Sequence, residues 1–495
     1  MTVTGTAGGR PAAPLPPRAG TPARAGAPTR RTRFGYASGS LVSGTFTTLP
    51  GLLLLPYLTD TLGVGAALAG TVAFLPKAWD AVLNPFVGRA SDRTRSRWGA
   101  RRPYVLWGGL LTALGFALTF AGPAPGSAGA WCAAAGYLLT ATAFAFFQVP
   151  YVAMPAELAD DEADRMRLVA GRVAVIGIAA LVTGAVAPAL VDAGGGGLPG
   201  HRWAGLFGAA VVALGALWVF AGTAVSGAGT SGVGTPGVGK PGAGASGTPR
   251  TTRAVAAQPS LRAQFEAARA DPPFMALLRC LVLQSVATGV LLAGAPYFAD
   301  HVLHDSSGVG ALVAAFVAPN LLTVPLWSRL RGPRGYTLAT ALFTTGCLLF
   351  LASPVLPEGA VLVTMALAGT GHAGQLLFLY AMLPDCIARG TGRTGRREGG
   401  VLSGVFTTVE GLGVAAGPFL YGLVLQLTGY VSSGTGDAAA QSATARAGIL
   451  AGFGALPALA AVGAALLLRA YDRPYRPLIG GPDTDTGIRG RDPAG

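Results

Sequence analysis

Apolar residues fall in twelve runs along the chain, and the charged residues gather in the gaps between them. The runs lie at about 35–59, 65–88, 103–122, 129–154, 168–193 and 203–225, then 275–299, 308–328, 335–353, 359–384, 400–427 and 447–470. Each is near the roughly 20 residues a helix needs to cross the hydrocarbon of a bilayer. A span in lipid must satisfy its own backbone hydrogen bonds, so the pattern predicts an all-α membrane protein with twelve transmembrane helices. Residues 1–33, rich in Pro, Ala, Gly and Arg, hold no apolar stretch long enough for a signal-peptide core and predict a disordered tail. Residues 226–272 contain SGAGTSGVGTPGVGKPGAGASGTPR, the composition of a flexible linker. It separates a six-helix half at 34–225 from a second at 273–472, and a polar tail fills 473–495. Two six-helix halves are the layout of transporters built from repeats, with the site between the halves near the midplane.

Composition agrees with a membrane reading: 51% of residues are hydrophobic and 12% charged, about half the charge of a soluble domain. The net charge of +14 would suit a nucleic-acid binder, but the arginines sit in short loops between apolar runs. They concentrate in the first tail, at 89–102, 160–167, 226–272, 329–334 and 389–398, and in the last tail. The opposite loops hold Asp60, Asp192, Asp305, Glu358 and Asp437. By the positive-inside rule both termini face the cytoplasm, so the partner is the lipid bilayer of a cell membrane, not nucleic acid. The four cysteines lack metal-ligand spacing and read as small hydrophobes. There is no HExxH, P-loop or nucleophile elbow, so neither an enzyme nor an ATP-driven pump is expected.

Charge inside the spans is where chemistry is expected. Phe74–Pro103 reads FLPKAWDAVLNPFVGRASDRTRSRWGARRP, an apolar helix carrying Lys77 and Asp80 that ends in an arginine cluster. A buried charged pair in a span is costly and marks function by default. Asp80 and Asn84, four apart, share a helix face, and Lys77 lies on the same side. Either Lys77 and Asp80 form a static pair that holds the span, or Asp80 is a carboxylate that takes up a coupling cation or proton.

The string KAWDAVLNPFVGRASDRTRSRWGARRPYVLWG resembles helix two and the following loop of the glycoside–pentoside–hexuronide:cation symporters, within the major facilitator superfamily. YLTDTLG at 57–63, VPYVAMPAELADDEADRMRLVAGR and MLPDCIARGTGRTGRREGGVLSGVFTTVEGLGVAAGPFLYGLVLQLTGY are similar to three further stretches of that family, in order and in both halves. The resemblance implies the twelve-helix major facilitator fold, alternating access and cation coupling. Members typically carry WDxxxDP on helix two, two acids that help bind the cation; here Asp80 is kept and the second position is Asn84. A typical helix-eleven lysine is replaced by Glu410. The sugar-binding acids of the family fall near Ser43/Gly44 and at Gln148, and the helix-five arginine is Arg172.

These departures shape the expected site. Asp80, Asn84, Glu410 and Lys77 form the cation-coupling set, with H⁺ favoured over Na⁺ because one hard oxygen ligand is lost, although Asn84 keeps a carbonyl oxygen. A Glu410 that faced the same cavity as Asp80 would raise the proton affinity of the pair. Arg172, Gln148, Tyr151, His372 and Gln375 form the solute-binding set, since polar groups in a pocket hydrogen-bond hydroxyls. Each has a plainer reading, as a packing salt bridge or a satisfied helix contact. Asp92, Arg93, Arg97, Gly99 and Arg101, with Arg396 and Arg397 of the second half, read as a cytoplasmic gate whose charged bonds break on opening inward. The expected function is secondary active transport of a small organic solute, of sugar or glycoside class by resemblance, by a monomer that needs no cofactor beyond its coupling ion. The alternatives are an H⁺-antiport exporter of a hydrophobic or glycosylated molecule, or a non-coupled lipid-handling or receptor protein.

Overall fold

In the computed structural model the described residues are 28–94, 96–123, 125–159, 161–224, 269, 271–305, 308–330, 332–394, 399–433 and 439–472. They form twelve long helical segments. In the first half these are α1 (Arg30–Thr61), α2 (Ala66–Arg93), α3 (Arg102–Thr119), α4 (Ser127–Ala153), α5 (Glu162–Ala193) and α6 (Gly197–Gly222). The second half has α7 (Pro272–Leu303), α8 (Gly308–Trp327), α9 (Arg334–Val355), α10 (Glu358–Thr394), α11 (Gly399–Leu427) and α12 (Ala443–Asp472). Eleven described helices are long and apolar enough to cross a membrane. The remaining segment, α3, occupies the third apolar run with 18 residues.

The apolar runs place the helices but not their ends. The fifth run starts at 168, yet α5 begins at Glu162; the tenth ends at 384, yet α10 continues to Thr394. Hydropathy marks only the part of a helix that lies in hydrocarbon. Beyond it, residues such as Glu, Ala and Arg continue the turn on their own helix preference. Within α1, the helix divides around Gly39, and Thr29 caps its start by accepting from the Thr32 N–H. Within α8 the helix breaks at Thr323, whose backbone N–H and hydroxyl both donate to the Pro319 carbonyl, at 2.8 and 2.7 Å.

The halves meet along α1 with α7, α2 with α11, and α5 with α8, and small residues set the approach. A Cβ on Gly70 would lie 2.9 Å from the Phe419 Cα, and one on Gly422 would lie 2.4 Å from the Ala66 carbonyl oxygen. Only residues without a side chain let α2 and α11 pack backbone to backbone. Both contacts lie toward the end of the bundle away from the arginine-rich loops, hereafter the closed end. The arginine-rich end is the basic end.

Candidate functional site

Helix α2 carries the first group of site residues. Lys77 points at α1 and α4: its Nζ sits 3.6 Å from the Phe46 ring centroid and 5.3 Å from that of Phe144. Those two rings are themselves stacked at 3.7 Å. Among the described residues no ion pair joins Lys77 to Asp80, although each lies within electrostatic reach of the other. The static pair, one of the two readings of these residues, is therefore not what holds this span. Asp80 Oδ1 and Asn84 Oδ1 are both buried without a hydrogen-bond partner. Buried polar atoms are nearly always satisfied, so two orphaned oxygens one turn apart are open to a water, an ion or a ligand. Neighbouring Trp79 is occupied, donating its Nε1–H to Thr142 at 3.2 Å.

One turn along the same α1/α4 seam, Ser43 donates to Gln148 Oε1 at 2.7 Å. The two positions that resemblance assigns to sugar-binding acids thus meet here as a neutral hydroxyl–amide pair. Tyr151 is engaged in packing: it donates to the Tyr36 carbonyl at 2.7 Å, contacts the Ser40 hydroxyl at 2.9 Å, and stacks on Tyr36. The Arg172 guanidinium lies 5.7 Å from the Tyr151 ring, and its Nε is buried without a partner.

Glu410 is placed apart from Asp80. Its Oε2 accepts from Tyr380 at 2.6 Å, and the charge within reach of it is Arg172, across the divide between the halves. The expected Asp80/Glu410 acid pair is replaced by a Glu410–Tyr380–Arg172 group, because α11 presents position 410 toward α10 and α5 rather than toward α2. His372 and Gln375 stay inside the second half. His372 contacts the Thr288 hydroxyl through Nδ1 at 3.4 Å and stacks on Phe316, and Gln375 donates to Thr340 at 3.1 Å. Of the ten polar residues expected at the site or near it, α2 and the α1/α4 seam gather Lys77, Asp80, Asn84, Ser43 and Gln148.

The expected gate divides in the same way. Arg101 donates to the Ala153 carbonyl and pairs with Glu157 at 3.3 Å, and Arg102 donates to the Phe220 carbonyl at 2.6 Å. Arg97 lies over the Trp98 ring, and Gly99 has φ +94°, a left-handed turn that favours glycine. Asp92 and Arg93 form the last turn of α2. These described contacts of the loop join elements of the first half. Arg396 and Arg397 lie outside the described residues.

A second set of polar residues joins the halves at the other end. Tyr430, beyond α11, donates to Asp60 Oδ1 at 2.7 Å, and Thr59 and Tyr297 share a buried hydroxyl bond of 2.7 Å. Ser432 donates to the Val64 carbonyl and Ser433 to the Asp60 carbonyl. Burial, then the nearby Asp60 carboxylate, hold the Tyr430 phenol far above its ordinary range, so it remains a donor at every physiological pH. Behind these bonds lies a cavity of about 460 Å³ lined by Asp60, Asp192, Asp300, His201 and His304. The sequence holds a signal for this end: Pro56-Tyr57-Leu58-Thr59-Asp60 recurs as Pro296-Tyr297-Phe298-Ala299-Asp300, at matching places on α1 and α7. Each copy runs into a π-helical turn, Tyr57–Thr61 and Ala299–Leu303.

Comparison with known proteins agrees with this architecture. The family model described as MFS/sugar transport protein matches residues 35–237 and 242–473. The chain is similar to a glucuronide carrier protein homologue of Escherichia coli (strain K12), 25% identical over 81% of this chain and 85% of the relative. It is also similar to an isoprimeverose transporter of Lactiplantibacillus pentosus, 23% identical over 83% of each chain. A solved bacterial homologue of the human lysosomal transporter Spinster, inward-facing and unoccupied, shares the fold with a TM-score of 0.64. It is 14% identical, over 89% of this chain and 96% of that one.

Proposed function

The chain belongs to the MFS/sugar transport protein family and is a secondary active solute transporter, and from that premise we propose that it moves a sugar or glycoside coupled to H⁺ or Na⁺ bound at Asp80 and Asn84. The observation that carries the reading is the pair of buried, unpartnered oxygens on these two residues, one turn apart on α2. A carboxylate and an amide carbonyl are hard oxygen donors, the kind that Na⁺ takes, and a carboxylate in a dry site equally accepts a proton. The names of the glucuronide and isoprimeverose relatives support the sugar class. The solute lies in the cleft between the halves, against Ser43, Gln148 and Arg172 of the first half and Tyr380 and Glu410 of the second. A hydroxyl–amide pair at Ser43–Gln148 suits neutral sugar hydroxyls, and Arg172 suits a carboxylate or ring oxygen.

The basic end faces the cytoplasm of a cell membrane, by the positive-inside rule. The cross-half bonds at the opposite end support an inward-facing state, in a carrier expected to act as a monomer. The test is uptake of radiolabelled methyl glucuronide and isoprimeverose into proteoliposomes under imposed pH or Na⁺ gradients. One gradient drives accumulation in the wild type, and Asp80→Asn loses it by about 100-fold or more, the size of a missing buried charge interaction. Uptake that ignored both gradients and survived Asp80→Asn would overturn the assignment.

A further inference from the structure

We propose that Lys77 is a tethered cation that exchanges between two docks, the Phe46–Phe144 ring stack and the Asp80 carboxylate, and replaces the coupling cation when that cation is absent. The inference rests on the reading of Asp80 and Asn84 as the cation site.

The first dock is the one seen. The ammonium lies over the face of Phe46 at 3.6 Å and within 5.3 Å of Phe144, rings contributed by two different helices and stacked on each other. Such ring faces attract a cation without supplying a counter-charge. Lys77 is thus held, and its charge is left unneutralised.

The second dock is one turn away. Asp80 follows Lys77 by three residues on the same face of α2, and its Oδ1 has no partner. Among the described residues, Asp80 is the charge that acts on Lys77 and Lys77 the charge that acts on Asp80. The Tyr137 phenol on α4 is the other titratable group within reach of the carboxylate. A lysine suits exchange between two docks: its charge is compact, its four-carbon stem flexible, and its donors rotate freely.

The two docks give the site a rule. A bare carboxylate is costly inside the bilayer. With a cation on Asp80 and Asn84, like charge repels the ammonium and the rings take it. When the cation leaves, the carboxylate draws Lys77 back, and the empty site becomes an internal ion pair. An emptied carrier can then reorient without a bare charge, and the Lys77 dock competes with the cation for Asp80.

Lysine occurs in this chain only at positions 77 and 240, which makes the exchange directly visible. The full-length protein in lipid nanodiscs, made with lysine isotope-labelled at the ε-carbon, gives two side-chain NMR signals, and Lys240→Arg assigns them. Ring currents displace the Lys77 signal when it sits on Phe46. The expected result is a partly displaced signal in the wild type at neutral pH without Na⁺. Asp80→Asn displaces it fully, and Na⁺ or acid moves the wild-type signal toward that same position. Phe46→Leu removes the displacement while leaving the lysine in place, which guards against a misfolded Asp80 variant. A wild-type signal that coincides with Asp80→Asn under every condition would overturn the proposal, as would one that neither Na⁺ nor acid moves. The two readings fail separately. Gradient-driven uptake that survives Asp80→Asn removes the cation site itself. An immobile Lys77 signal, beside uptake that Asp80→Asn abolishes, removes the exchange alone.

Discussion

At the closed end Tyr430 donates across the halves to Asp60, whereas at the basic end Arg101 is joined to Glu157 and the Ala153 carbonyl of its own half. Both are charged hydrogen bonds, and they do different work. A bond between halves exists in one state of an alternating carrier and is broken in the other, so it sets the balance of states. A bond inside one half is present in both states, so it cancels from that balance and adds only to the stability of the half. The arginine-rich loop looks like a gate by sequence, yet the described bonds that can act as one are those of Asp60, Thr59, Ser432 and Ser433.

The largest test of this contrast is steric. A Cβ on Gly422 meets the Ala66 backbone carbonyl at 2.4 Å, and backbone does not give way as a side chain does. Gly422→Val therefore costs the closed state about 3 kcal/mol, the upper end for overpacking. That moves the balance toward opening of the closed end by roughly 100-fold. The readout is the rate at which a cysteine introduced by Ser43→Cys, in a Cys132→Ser background, reacts with an impermeant maleimide applied from the closed-end side. An unchanged rate would mean that α2 and α11 do not separate there.

Tyr430→Phe is the next largest. It removes a hydrogen bond to a buried carboxylate, worth about 1.5–3 kcal/mol when one partner is a charged group. Maleimide reaction at the Ser43→Cys site should then rise by roughly 10-fold or more. Because the phenol stays protonated throughout, the wild-type bond weakens from a charged to a neutral hydrogen bond only when Asp60 itself takes a proton. A rate that stayed at the wild-type value would show that Thr59–Tyr297 and the two serines hold this end without Tyr430.

How much of this was legible in the sequence follows the range of each interaction. The twelve helices are written in the apolar runs because a bilayer enforces them locally. The shared face of Asp80 and Asn84 is written in their spacing, since both lie on one helix. The dock of Lys77 on Phe46 and Phe144 is not, because it depends on how α1 and α4 pack against α2. Glu410 shows the same limit: its type and depth were readable, but not that Tyr380 and Arg172, rather than Asp80, are its neighbours. The closed end lies between these cases. Its Pro-Tyr-x-x-Asp repeat is visible in the chain, but Tyr430 meets Asp60 from 370 positions away.

The smallest predicted effect is the sharpest test of the comparison. Arg101 is mostly buried at 16% side-chain exposure, but Glu157 is 48% exposed, so water screens their pair and leaves it worth about 0–1 kcal/mol. The bond to Ala153 satisfies one of the carbonyls orphaned at the end of α4, and its loss adds a similar small amount. Arg101→Ala should therefore lower the melting temperature by about 1–2 °C. Maleimide reaction at the Ser43→Cys site should stay within about twofold of the parent, since these two described partners travel with Arg101 in either state. A change as large as that of Tyr430→Phe would mean that Arg101 crosses to the second half when the basic end shuts. The arginine loop would then be a gate after all, one that acts in the opposite state from the bonds of Asp60.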